Sequence, residues 1–153
     1  MYKKIMVPLD GSTFAESALE HVKALAQIST LDKVILVRVL EPIVVNVKDY
    51  IGADLARDTE DKLEADAKRY LEKTAAGLRK GGMNVDARLV VDGEPAAKIL
   101  ETAREESIDL IVMSTHGKSA FFHWVFGSVA HKVLANSSIP VLVIPRRDKG
   151  RAS

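Results

Sequence analysis

The sequence predicts an α/β protein, a three-layer α/β/α sandwich built around a parallel sheet of five strands. Short apolar runs and longer amphipathic stretches alternate along the whole chain, which is the order of strand–helix–strand units with right-handed crossovers. Apolar residues make up 47% of the chain but aromatic residues only 5%, so aliphatic side chains build the core, as suits a sheet covered by helices. The runs at residues 34–37 and 110–113 are continuous instead of alternating, which is typical of strands buried on both faces.

Five short apolar segments are the predicted strands, at residues 4–9, 33–40, 85–91, 109–114 and 140–144. The last segment is strongly apolar and comes near the end of the chain, so we expect it at an edge of the sheet. An apolar edge strand must be covered or paired to avoid aggregation.

Four stretches with helical periodicity separate the strands, at residues 13–26, 55–78, 94–106 and 128–135. The first begins with Thr13 and has Glu16 three residues later, which predicts a capping box. The longest carries Leu63 and Leu71 on one face and charged residues on the other, so we expect both leucines in the core. The third has Pro95 in its first turn, where a helix tolerates the missing N–H.

Length and composition predict one domain over residues 1–146, followed by a basic tail at 147–153 that we expect to be disordered.

The net charge of +1 gives no global electrostatic field, so neither nucleic acid nor a membrane is an expected partner. The lack of cysteine excludes a disulfide scaffold, a thiolate zinc site and a cysteine nucleophile. No long apolar window and no signal peptide is recognisable, so we expect a cytoplasmic protein.

Ligands of open parallel sheets bind beyond the carboxyl ends of the strands, so the residues that follow each strand are candidates for a site. Asp10 follows the first strand, where its carboxylate either accepts hydrogen bonds from a sugar hydroxyl or an amine, or only forms a turn before Gly11. After the fourth strand, Gly117 and the pair Gly127 and Ser128 bracket a loop whose backbone N–H groups predict a phosphate cradle. The alternative is a simple turn at Gly117 and a helix cap at Ser128.

Two common nucleotide-binding motifs are absent. A Walker A loop needs a glycine five residues before Gly117, where this chain has Val112, and the first strand is followed by Gly11 alone instead of G-x-G-x-x-G. The four histidines lack metal-ligand spacing, and we find no nucleophile–base pair. We therefore expect a binding function, with catalysis slow or absent.

The spacing Ser114-Thr115-His116-Gly117, nine residues and then Gly127-Ser128 resembles the signature G-x-x-G-x9-G-[ST] of the universal stress protein family, in its ATP-binding branch. The resemblance extends over residues 3–12, 109–117 and 137–144. It implies a five-stranded parallel sheet of Rossmann-like (adenine nucleotide alpha-hydrolase-like) topology and, in many members, bound ATP with magnesium or manganese on the phosphate oxygens.

The same resemblance implies a set of site residues. Pro8, Asp10, Val39 and Met113 would line the adenosine end, while Gly117, Gly127, Ser128 and Val129 would hold the phosphates. Leu9, Ser114 and Lys118 complete the predicted site; Lys118 is either a phosphate contact or a solvated loop lysine.

One position departs from the family signature, because its first glycine is replaced by Ser114. A side chain then enters where the family lets the backbone approach the nucleotide closely. Three functions stay open: an ATP-binding, dimeric regulatory module of the stress response; a dimeric interaction protein of the same fold that binds no nucleotide, which the Ser114 departure motivates; and an ATP-hydrolysing enzyme.

Two partner surfaces are predicted. The family pairs the strand at residues 140–144 with its own copy, which implies a homodimer. Half of the aromatic residues lie in the spacer before Gly127, and Phe121, Phe122 and Trp124 either pack against the last helix or form an exposed patch for a protein partner.

Overall fold

The computed structural model describes residues 1–43, 49, 51–115 and 127–145. The strands in this part of the chain are β1 (Lys4–Pro8), β2 (Lys33–Leu40), β3 (Val85–Val91), β4 (Leu110–Ser114) and β5 (Val141–Ile144). They form one parallel sheet in the order β3-β2-β1-β4-β5. The predicted five-stranded parallel sheet is thereby confirmed.

Several predictions concern residues outside the described part and stay predictions. These residues are Gly117 and Lys118 of the cradle, the aromatic residues Phe121, Phe122 and Trp124, and the tail at 147–153.

Helices connect successive strands and cover both faces of the sheet. Those in the described part of the chain are α1 (Thr13–Ile28), α2 (Ala53–Lys80), α3 (Pro95–Glu105) and α4 (Ser128–Asn136). Buried side chains of α1 and α2 share one core with the sheet, and those of α3 and α4 share the other. The protein is therefore a three-layer sandwich, as the alternation of elements predicts.

The continuous apolar run of β2 has a direct structural explanation. Val34 and Leu36 point into the core beneath α1 and α2, while Ile35 and Val37 point into the core beneath α3 and α4. Because β2 lies inside the sheet with helices on both faces, all four side chains are buried.

The predicted capping box at Thr13 is wrong. Helix α1 is capped by Ser12, whose backbone is extended and whose hydroxyl accepts a hydrogen bond from the Ala15 N–H at 3.1 Å. The turn at Asp10 sets this conformation, since its carboxylate accepts from the Ser12 N–H at 2.8 Å. Thr13 is therefore the first residue inside the helix.

The predicted apolar stripe of α2 is correct for only part of its length. Leu71 is 1% exposed, but Leu63 is 47% exposed. The 28 residues of α2 span about 42 Å, whereas the 8 residues of β2 span only about 26 Å, so the helix is longer than the sheet it covers. Its first half therefore buries little apolar surface beyond Ala56. No helix in the described ranges is long and apolar enough to cross a membrane.

β5 forms an open edge of the sheet, as expected from its place near the end of the chain. The carbonyls of Pro140 and Ile144 accept hydrogen bonds from β4 and from Thr115 just after it, at 2.9 and 3.0 Å. Since backbone groups of successive strand residues point to alternate sides, Val141 and Val143 direct their N–H and C=O groups to the open edge.

Candidate functional site

The sheet has a topological switch point between β1 and β4. From β1 the chain moves outward to β2 and β3, and it then returns to place β4 and β5 on the other side of β1. The loops after β1 and β4 consequently leave in opposite directions and open a crevice at the carboxyl edge of the sheet, where ligands of such sheets bind.

A cavity of about 450 Å³ occupies this crevice, within the range of about 300–1,000 Å³ usual for small-molecule sites. Nine of the predicted site residues fall in the described part of the chain, and all nine line this cavity. They are Pro8, Leu9, Asp10, Val39, Met113, Ser114, Gly127, Ser128 and Val129.

The loop after β1 fixes the floor of the cavity. The Leu9 N–H donates to the Val37 carbonyl at 2.8 Å, which continues the pairing of β1 with β2 beyond the strand. Asp10 then forms its turn with Ser12, and Gly11 adopts φ of +84°, a left-handed conformation that favours glycine. Asp10 thus forms the turn that its sequence predicts, and it also lines the cavity, so hydrogen bonds from its carboxylate to a ligand stay a prediction.

The loop after β4 and the start of α4 form the opposite wall. The Gly127 N–H donates to the Thr115 carbonyl at 2.6 Å, so the two ends of the intervening segment lie side by side. Gly127 precedes α4 without a side-chain cap, and Ser128, Val129 and Ala130 of its first turn line the cavity. The first N–H groups of a helix have no partner within the helix, so this wall offers donors to an anion.

Sequence reasoning missed Arg38 and Glu41, which bring charge to the β2 side of the cavity. Arg38 interrupts the apolar strand β2 two residues before its end. A single arginine at that place is the feature of the sequence that could have indicated a charged site residue. Its guanidinium lies over the ring of Tyr70, with Cζ 5.5 Å from the ring centroid. Pro95 and Ile99 of α3 add apolar surface that was not predicted either.

Tyr70 supports this corner of the site from α2. Burial raises the pKa of the Tyr70 phenol above its ordinary value of 10.0, and the neighbouring Glu16 carboxylate raises it further. The phenol is therefore neutral at physiological pH, and its ring remains a suitable face for the Arg38 cation.

The described residues include no group of three or more histidine, aspartate or glutamate side chains arranged to hold a metal ion. Asp10 and Glu41 are the carboxylates that line the cavity in this part of the chain.

Comparison with known proteins identifies the family. The model of the universal stress protein family matches residues 1–145. Universal stress protein MJ0577 of Methanocaldococcus jannaschii is 34% identical over 160 residues, covering 97% of this chain and 98% of its own. The solved structure of MJ0577 superposes with a TM-score of 0.83, covering 97% of this chain and 99% of that one.

Two further solved structures share the fold and carry ligands. A universal stress protein in complex with cAMP has a TM-score of 0.65 at 24% identity, covering 94% of this chain and 97% of its own. A family protein of Arabidopsis thaliana with AMP bound has a TM-score of 0.66 at 21% identity, covering 95% of this chain and 92% of its own. On the family match and the likeness to MJ0577, this chain is a member of the universal stress protein family.

Proposed function

We propose that the cavity at the carboxyl edge of the sheet binds an adenine nucleotide, with ATP as its natural ligand. The observation that carries this proposal is the convergence of all nine described site residues on one cavity at the switch point. The AMP and cAMP held by two structural neighbours of the same fold support the adenine class.

The two ends of the cavity suit the two ends of a nucleotide. Pro8, Val39 and Met113 offer apolar surface to the adenosine, and the Asp10 carboxylate accepts hydrogen bonds from its amine or its ribose hydroxyls. Gly127, Ser128 and Val129 offer the phosphates the N–H groups and the positive end of the α4 dipole. Magnesium or manganese would then be held chiefly by phosphate oxygens.

In this proposal the chain is a regulatory protein whose state depends on whether the nucleotide is bound. Its hydrolysis of the nucleotide is slow or absent. Among the described residues of the cavity, the titratable groups are Asp10, Arg38 and Glu41. An ATP-hydrolysing site would instead need a positioned base together with a metal-binding set of carboxylates.

Isothermal titration of the ligand-stripped protein with ATP tests the proposal. We expect saturable binding that Gly127→Val removes, because a branched side chain enters the wall that faces the phosphates. Gly77→Ala is the matched control: Gly77 lies in α2, and a Cβ built there has no atom within 4 Å. ATP binding that Gly127→Val leaves unchanged would refute the assignment of this wall.

Ser114 favours a second candidate, an interaction protein of the same fold that binds no nucleotide. Ser114 is half-buried and lines the cavity at the end of β4, where the family signature has glycine. A ligand present at 100 times its Kd stabilises a protein by about 2.7 kcal/mol. Refolded protein that shows no thermal shift with millimolar ATP would favour this candidate.

We also propose that two copies of the chain associate through β5. The outward N–H and C=O groups of Val141 and Val143 are free to pair with a second β5, and Leu142 between them is 37% exposed. Pairing across a two-fold axis would satisfy these groups and cover the apolar edge.

A further inference from the structure

Arg38 is a cation built into the wall of the cavity. It lies near the carboxyl end of β2, and by the alternation of the strand its side chain points to the same face as Leu36, beneath α1 and α2. It is the one cation among the described residues that line the cavity.

Two neighbours, Tyr70 and Gly11, border the guanidinium. The Tyr70 ring lies 5.5 Å from Cζ, within the distance of about 6 Å at which a cation is attracted to an aromatic face. On the β1 side, a Cβ built on Gly11 would lie 3.2 Å from Nη1, 3.4 Å from Cζ and 3.5 Å from Nη2. The guanidinium therefore lies on the side of Gly11 that a side chain would occupy, where another residue would crowd it.

The contact with the Tyr70 ring restrains the guanidinium but leaves its hydrogen-bonding capacity largely unused. Within the described ranges no carboxylate oxygen lies within 4.0 Å of Arg38, although Arg69, Arg79 and Arg88 each pair with one. A guanidinium presents five N–H donors in a fixed plane. A preorganised and unpaired donor in a cavity wall indicates an acceptor supplied by the ligand.

We propose that Arg38 is a specificity-determining residue that donates hydrogen bonds to the nucleoside part of the ligand, its base or its ribose, and not to the phosphates. This inference rests on the proposed nucleotide function. Strands β2 and β4 flank β1, so about 10 Å separates the strand that carries Arg38 from the one that leads to α4. Moreover, Arg38 points to the face of α1 and α2, while α4 packs on the other face.

Calorimetric titration of ligand-stripped protein with adenosine, AMP and ATP tests this proposal. Arg38→Met keeps much of the apolar stem and removes the donors. We expect it to weaken all three ligands by a similar factor of about tenfold or more, as for the loss of a hydrogen bond from a charged group. Arg69→Met is the matched control, because Arg69 is exposed and, among the described residues, pairs with Asp66 one turn away on α2.

The possible outcomes separate the two proposals. If the wild-type protein binds none of the three ligands, the nucleotide function itself fails. If the wild type binds but Arg38→Met changes no affinity, or if the loss grows from adenosine to ATP, the role assigned to Arg38 is wrong while the nucleotide function stands.

A second variant covers the case in which Arg38→Met fails to fold. Arg38→Lys keeps the charge and the stem but loses the planar fork, so we expect it to fold and to weaken adenosine at least threefold. Unchanged adenosine affinity in Arg38→Lys would overturn the proposal.

Titration with 2′-deoxyadenosine and 3′-deoxyadenosine distinguishes the two acceptors. If Arg38 bonds a ribose hydroxyl, the wild type discriminates against one of these nucleosides and Arg38→Met loses that discrimination. If it bonds the base, Arg38→Met weakens adenosine and both deoxynucleosides equally.

Discussion

At the scale of single residues, Gly11 carries two constraints at once. Its φ of +84° disfavours any side chain, and a Cβ built on it would lie 3.2 Å from Nη1 of Arg38. The dipeptide Asp10-Gly11 predicts a turn from the sequence alone. Nothing local to the turn reveals Arg38, which approaches from a strand 27 positions later in the chain. A contact between distant segments therefore gives this glycine its second role.

Gly11→Ala should separate these two constraints. A left-handed conformation costs a non-glycine residue about 1–2 kcal/mol, so the free energy of unfolding should fall by about that amount. Gly82→Ala is the control, because Gly82 has φ of +86° and a Cβ built there has no atom within 4 Å. Urea denaturation should show similar losses for both variants, whereas titration with ATP should show weaker binding for Gly11→Ala alone. Equal ATP affinities would mean that Arg38 can move aside without consequence.

At the scale of secondary structure, β2 and β3 begin and end at the residues that the sequence predicts, because each apolar run is flanked by polar turn residues. The predictions that failed depend on tertiary context. Ser12 and Thr13 are both suitable helix caps, and only the turn made by Asp10 selects Ser12. The exposure of Leu63 depends on the length of α2 relative to the sheet, which the periodicity of one helix cannot show.

The start of α3 should give a pH-dependent contribution to stability. The Glu94 carboxylate accepts from the Ala97 N–H at 2.8 Å and pairs with Lys132 of α4 at 3.0 Å. The hydrogen bond from Ala97, and then Lys132, lower the pKa of Glu94 below its ordinary value of 4.5. Because the folded state holds the charged form, this stabilisation is present above pH 4.5 and is lost as the pH falls through the lowered pKa.

We therefore expect Glu94→Ala to cost about 1 kcal/mol at pH 7. For a chain of 153 residues this lowers the Tm by about 2–4 °C. Thermal unfolding at pH 7 and at pH 3 should show the difference from wild type shrinking at the lower pH. Glu101→Ala is the control, since the surface pair of Glu101 with Lys98 should contribute little at either pH. A difference for Glu94→Ala as large at pH 3 as at pH 7 would contradict the assigned role of the charge.

At the scale of the whole molecule, the order of elements predicts the sandwich, and the parallel sheet follows from it because strand–helix–strand crossovers leave few other arrangements. The order of elements also predicts the place of the site. The switch point lies at the ends of β1 and β4, and the residues that follow these strands carry the resemblance to the family. The depth and charge of the cavity cannot be predicted from the order of elements or from the signature. Arg38, Glu41 and Pro95 reach it from elements that no motif connects with the site.

Association through β5 is tested at this scale by Val143→Pro. The Val143 N–H points to the open edge and not to β4, so proline removes an edge donor while the ladder with β4 keeps its hydrogen bonds. We expect light scattering to report a monomer or an aggregate in place of a dimer. Thr74→Ala, on α2 away from the edge, should leave the dimer intact. A stable dimer of Val143→Pro would show that the copies associate elsewhere.

The central claim is that this sandwich binds an adenine nucleotide in the cavity at the carboxyl edge of its sheet. Native mass spectrometry of the purified protein, before and after addition of ATP, tests it most directly. It measures the mass of the intact assembly together with any bound ligand. We predict a dimer that carries one adenine nucleotide per chain, either as purified or once ATP is added. A protein that stays unliganded at millimolar ATP would contradict the claim.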